Sequence, residues 1–181
     1  MLQIVVPAVE AFDDEKQEFV TIGKDQTLEL EHSLISLSKW ESKWCKVFLS
    51  KEEKTTEETI DYIKCMTVTP RVDPSVYDRL TTENIKQIQD YIAAPMTATY
   101  FSKEAGGRIN REQVTSELIY YWMIAMQIPF ECEKWHLNRL LTLIRVCNIK
   151  NQPPKKMSKK EIMTRNAALN AQRRQQLNTK G

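Results

Sequence analysis

Asn110-Arg-Glu-Gln-Val-Thr-Ser-Glu-Leu-Ile-Tyr-Tyr-Trp-Met-Ile-Ala-Met-Gln127, a break at Ile128-Pro129, and Glu131-Cys-Glu-Lys-Trp-His-Leu-Asn-Arg-Leu-Leu-Thr-Leu-Ile-Arg-Val-Cys147 are richer in apolar residues than the rest of the chain. In the first half, Asn110 with Gln113 three residues later makes a capping-box start. Val114, Leu118, Tyr121/Trp122, Ala125 and Met126 then recur at three- and four-residue steps, the spacing of one helix face. The second half restarts with Glu131 and Glu133, whose charge suits a helix N-terminus, and sets Trp135, Leu140/Leu141, Ile144 and Cys147 on a face. A short break between two amphipathic helices predicts an antiparallel helical hairpin, taken as the heart of the fold.

Working outward, Leu2 to Val6 and Glu18 to Ile22 are β-branched runs around the acidic segment Phe12 to Lys16. They predict an N-terminal β-hairpin, extended by Thr27 to Leu30. Helical spacing follows in Leu34, Leu37, Trp40 and Trp44. A further helix starts at Thr55/Thr56 with Glu58 and continues through Ile60, Ile63 and Met66. Asp73-Pro74 opens a short helix, and Thr82 to Ile92 presents Ile85, Ile88 and Ile92. Thr97 to Phe101 reads as a strand, and Lys103 to Ile109, with two of the four glycines, as an exposed loop. The fold class expected is mainly α (α+β): a helical domain over residues 1–150 with a small N-terminal β-hairpin, then a basic helical extension over 151–181.

The extension differs sharply in charge. From Lys150 onward nine Lys or Arg face the single Glu161, leaving it at +8, so the preceding 149 residues carry −6 of the overall +2. Paired prolines after Asn151 make a linker, and Ser158 with Glu161 caps a helix whose large apolar residues (Ile162, Met163, Leu169, Leu177) form too thin a stripe to hold a core.

Chemistry is sparsely signalled. Two histidines, no glycine-rich phosphate loop and no hydrolase or metalloprotease motif argue against an enzyme, and no cofactor is implied. Cys132 and His136 stand four apart, but no third or fourth ligand accompanies them, so a packed cysteine is the better reading than a metal site. The four scattered cysteines suit a reducing compartment. No leader or membrane-spanning run is expected. Trp40, Trp44, Tyr120, Tyr121, Trp122 and Trp135 read as core or as interface anchors. Three successive large rings cannot all point inward on one helix, so at least one of Tyr120, Tyr121 and Trp122 faces a partner or a neighbouring element. The candidate partner-binding residues are Tyr120, Trp122 and Trp135, together with Lys155, Lys156, Lys159, Lys160, Arg165, Arg173 and Arg174. With no aromatic interleaving, the basic tail suits a protein partner better than nucleic acid.

Lys134-Trp-His-Leu-Asn-Arg-Leu-Leu-Thr-Leu-Ile-Arg-Val-Cys-Asn-Ile-Lys-Asn151, the Pro-Pro-Lys-Lys-Met-Ser-Lys-Lys-Glu-Ile-Met that follows, and the ending Leu177-Asn-Thr-Lys-Gly181 resemble tail assembly chaperones of tailed bacteriophages. Leu28 to Trp44 and Pro95-Met-Thr-Ala-Thr99 are similar to the same group. The resemblance implies a mostly helical protein of the host cytoplasm that coats the long apolar tape measure protein and promotes polymerisation of tail tube subunits; a homo-oligomer is a separate expectation. A structural virion protein, such as a connector or tail component, and a nucleic-acid-binding module using the tail are the competing expectations.

Overall fold

The computed structural model describes residues 1–13, 18–101, 113–151 and 158–178. The fold is mainly helical with a small N-terminal β element, as the periodicities predict. Strand β1 (Leu2–Val6) pairs antiparallel with β4 (Gln26–Leu30), and β2 (Val9–Asp13) with β3 (Glu18–Ile22). Between the two ladders stand Pro7, which has no N–H to donate, and Gly23 at φ 79°. Arg79 donates from Nη1 to the carbonyls of Pro7 and Lys24 there, and a Cβ on Gly23 would sit 2.9 Å from that same nitrogen. Strand β2 was not anticipated, because its acids read as part of a turn.

Alternation decides which face of β1–β4 is covered. Ile4, Val6, Leu28 and Leu30 point inward while Gln3 and Val5 face out. Above them lie α2 (Thr56–Met66), the four-residue α3 (Ser75–Asp78) and α4 (Thr82–Ala93), whose Ile63, Met66, Val76, Tyr77 and Ile88 close the first core. The starts are set locally. Thr55 with Glu58 and Thr81 with Asn84 each form a reciprocal capping box that satisfies the amides left over at a helix N-terminus.

Helix α1 (Leu34–Trp44) is the wall between this core and a second one. Its serines lower helix propensity, but Ser33 and Ser36 supply its capping box. Trp40 belongs to the first core and donates its indole N–H to the Glu58 carbonyl at 2.9 Å. Leu34 and Leu37 belong to the second, with Ile119 and Met123 of α5 (Ser116–Ala125) and Leu137, Leu140 and Ile144 of α6 (Leu137–Asn151).

Three local expectations change. Helix α5 starts at Ser116 under a Thr115 cap, and the expected cap Asn110 lies outside the described residues, as does the Lys103–Ile109 loop. Glu131 does not open the next helix: Phe130–Lys134 is a 3-10 turn and α6 begins at Leu137. Thr97 to Phe101 is not a strand; it has no ladder partner among the described residues, Tyr100 is exposed, and Phe101 takes the Arg145 guanidinium on its ring at 4.0 Å. β-Branched composition alone does not make a strand without an edge to pair with.

Two compact units are resolved, Met1–Asn148 and Ile149–Gly181. In the second, α7 (Lys159–Leu177) carries the Ser158/Glu161 capping box and ends on Asn178 in the left-handed conformation. All of its residues are exposed.

Candidate partner-binding surface

Helix α5 is apolar at every position from Leu118 to Ala125, so its sequence scarcely marks which side faces in. The structure turns Ser116, Ile119 and Met123 inward, all fully buried, and sends Tyr121 and Ile124 outward. This is a different phase from the Val114, Leu118, Tyr121/Trp122 face that the spacing suggested. The first-turn Ser116 amide fixes the rotation by donating 2.7 Å to Oε2 of the buried Glu41. The helix stops where Gln127 adopts φ 55° and Ile128 donates back to the Met123 carbonyl, plugging Ile128 into the core.

The three aromatic candidates are all half-buried flanking residues. Tyr120 tilts against Phe130 at 6.5 Å and donates its hydroxyl to Glu133 at 2.9 Å. Burial, with the neighbouring carboxylate, pushes its phenol up to about 12. Trp122 lines an open groove of roughly 670 Å³ with Val47, Leu49, Val114 and Leu141, rimmed by Lys51 and Glu52. Trp135 packs on the second core and carries the Arg139 guanidinium on its ring at 4.2 Å. Tyr121, Ile124 and Phe130 are more exposed than any of these, at 63%, 62% and 55%, and were missed. The requirement that one ring of the Tyr-Tyr-Trp run point outward was the available signal, and Tyr121 is that ring.

Of the basic candidates, Lys159, Lys160, Arg165, Arg173 and Arg174 lie exposed along α7, and Lys155 and Lys156 lie outside the described residues. Lys159 and Lys160 stand in the first turn of the helix and Arg174 in the last, with Arg165 and Arg173 between.

Both histidines are buried side by side, ring centroids 5.0 Å apart. His136 donates from Nε2 to the Tyr91 carbonyl at 3.0 Å, and its Nδ1 accepts from the Asn138 amide at 3.3 Å, so its neutral tautomer is fully used. His32 Nδ1 meets the Tyr62 hydroxyl at 2.6 Å. Burial, helped by the neighbouring ring, drives His32 down to about 3, and burial also lowers His136. The pair ties the start of α1 to the start of α6, where the Leu137 amide donates to the His32 carbonyl at 2.7 Å. Cys132 is a buried member of the second core, and no His/Cys/Asp/Glu group among the described residues is placed to hold a metal. None of the described helices is long and apolar enough to cross a membrane. Comparison with protein-family models, curated proteins and solved structures finds no match to this chain.

Proposed function

We infer that the protein works by holding another polypeptide, as a tail assembly chaperone that covers the apolar face of a long helical partner, the tape measure protein, and hands it to tail tube subunits. The observation that carries this reading is the exposure of Tyr121 and Ile124 on the outer side of α5 and of Phe130 on the turn that follows it. Large exposed apolar side chains on a helix and on the turn after it suit an amphipathic helix laid against them. The sequence resemblance supplies the identity of the partner. The acidic charge of residues 1–149 favours solubility of such a complex.

Co-expression tests it: the tape measure protein should be soluble with this chain and aggregate without it, and equal solubility in both cases refutes the reading. A chaperone should also be missing from purified particles. Its detection in virions at stoichiometric amounts by mass spectrometry would favour a structural tail component.

The exposed cations of α7 favour a second reading, docking on an acidic surface or a phosphate backbone. Binding to DNA that falls steeply with salt and disappears on deleting residues 152–181 supports the phosphate version, and salt-insensitive or absent DNA binding removes it.

A further inference from the structure

The outward side of α5 and the turn after it has a charge as well as an apolar character. Between Gln113 and Glu133 the only ionisable acids or bases of Lys, Arg, Asp or Glu type are Glu117, Glu131 and Glu133. Glu117 is exposed one turn before Tyr121 on the same side of the helix, Glu131 is exposed directly after Phe130, and Glu133 is joined to Tyr120 by its hydrogen bond. Lys51 borders the Trp122 groove, and Lys134 a cleft lined also by Glu31 and Lys39.

We propose that this patch takes a cationic amphipathic helix of a partner polypeptide, with the partner's apolar stripe over Tyr121, Ile124 and Phe130 and its Lys or Arg side chains against Glu117 and Glu131. The proposal rests on the polypeptide-binding reading above and states the chemistry of the segment bound. Charge selects this occupant over the others. A second copy meeting the patch with its own patch would set carboxylates against carboxylates, and a nucleic acid would bring phosphates to them. A neutral apolar helix would strip water from the carboxylates and return no counter-charge. A helix with basic flanks satisfies both the apolar residues and their acidic margin.

Titration calorimetry of the full chain with two synthetic helical peptides tests this. The peptides share leucines at three- and four-residue steps, and one carries lysine where the other carries glutamate beside the stripe. The lysine peptide should bind at least about tenfold more tightly at low salt, and its advantage should shrink as salt is added. Ile124→Asp should weaken lysine-peptide binding by about tenfold or more. The double variant Glu117→Lys/Glu131→Lys should reverse the preference between peptides. Circular dichroism and melting like the parent's would show both variants folded, as expected for exposed positions. Equal affinity for the two peptides, no binding of either, or unchanged binding in folded Ile124→Asp overturns the proposal. Solubility of the long co-expressed partner is read separately. If the parent chain and both variants all confer it, this surface falls and the chaperone reading stands. If none confers it while peptide binding is charge-selective, the reverse holds.

Discussion

At the scale of single residues, the buried carboxylate of Glu41 is the tightest constraint. Its Oε1 accepts from the Phe48 amide at 2.9 Å and its Oε2 from the Ser116 amide at 2.7 Å, so one side chain anchors the loop after α1 and the first turn of α5. Glu41→Ala leaves two amides without their acceptor and should cost about 2–4 kcal/mol, the loss for unsatisfied buried donors. Glu41→Gln retains one acceptor oxygen and should cost less. In a chain of this size the alanine change should lower the melting temperature by roughly 4–16 °C, at about 2–4 °C per kcal/mol. A shift under a degree or so in calorimetry would show the two bonds to be dispensable.

His32 gives a pH dependence with a defined sign. The fold holds it near 3 against an ordinary value of 6.5, so the unfolded chain binds the extra proton between those limits. Its contribution is therefore complete above pH 6.5 and is lost as the pH falls toward 3, at up to about 1.4 kcal/mol per pH unit. Between pH 6.5 and 5 the loss should reach about 2 kcal/mol. His136, also lowered, acts in the same direction. Urea midpoints at pH 7, 6 and 5 measure this, and a flat profile would mean that the pair is hydrated or otherwise accommodates charge.

At the scale of elements, several helix starts were legible, those of α5 and α6 were not, and helix rotation was not. Thr55/Glu58 and Ser158/Glu161 were readable because capping is decided within four residues, whereas α3 takes Pro74, not Asp73, as its cap, with Asp73 accepting only from the Ser75 amide. The phase of α5 depends on what surrounds it, since an all-apolar helix offers no polar side to exclude. Two neighbouring substitutions test the observed phase. Met123→Ala, at a fully buried site, should cost about 2–4 kcal/mol, whereas Ile124→Ala, 62% exposed, should change stability by less than about 0.5 kcal/mol. Thermal melts showing the opposite order would refute the observed rotation of α5. Helix α7 buries no side chain, so its amides should exchange with solvent far faster than those of α1, which is walled in on two sides.

At the scale of Met1–Asn148, two cores meet at α1 and at Phe48, which packs on both. Phe48 stacks on Tyr62 at 3.9 Å and meets Trp40 edge-on at 5.1 Å. Removing that ring should do more than lower stability. Phe48→Ala should cost about 2–4 kcal/mol and broaden the unfolding transition, as the two cores lose their shared contact. Coincident, sharp transitions by fluorescence and by circular dichroism in this variant would show that α1 alone couples them.

The sequence by itself determined the class of the fold, the capping boxes at Thr55/Glu58 and Ser158/Glu161, the β-branched arms of the ribbon, and the contrast between an acidic chain and a basic end. Each of these is settled by neighbours in sequence or by composition. Only the tertiary structure decided that Thr97–Phe101 stays unpaired, that both histidines become one neutral buried pair, and that Tyr121, Ile124 and Phe130 stand outside while Trp122 and Trp135 are half covered. Those outcomes depend on distant partners: a strand needs a free edge, a histidine's charge state depends on what encloses it, and an aromatic ring is an anchor or a core residue according to which face of its helix the rest of the chain covers.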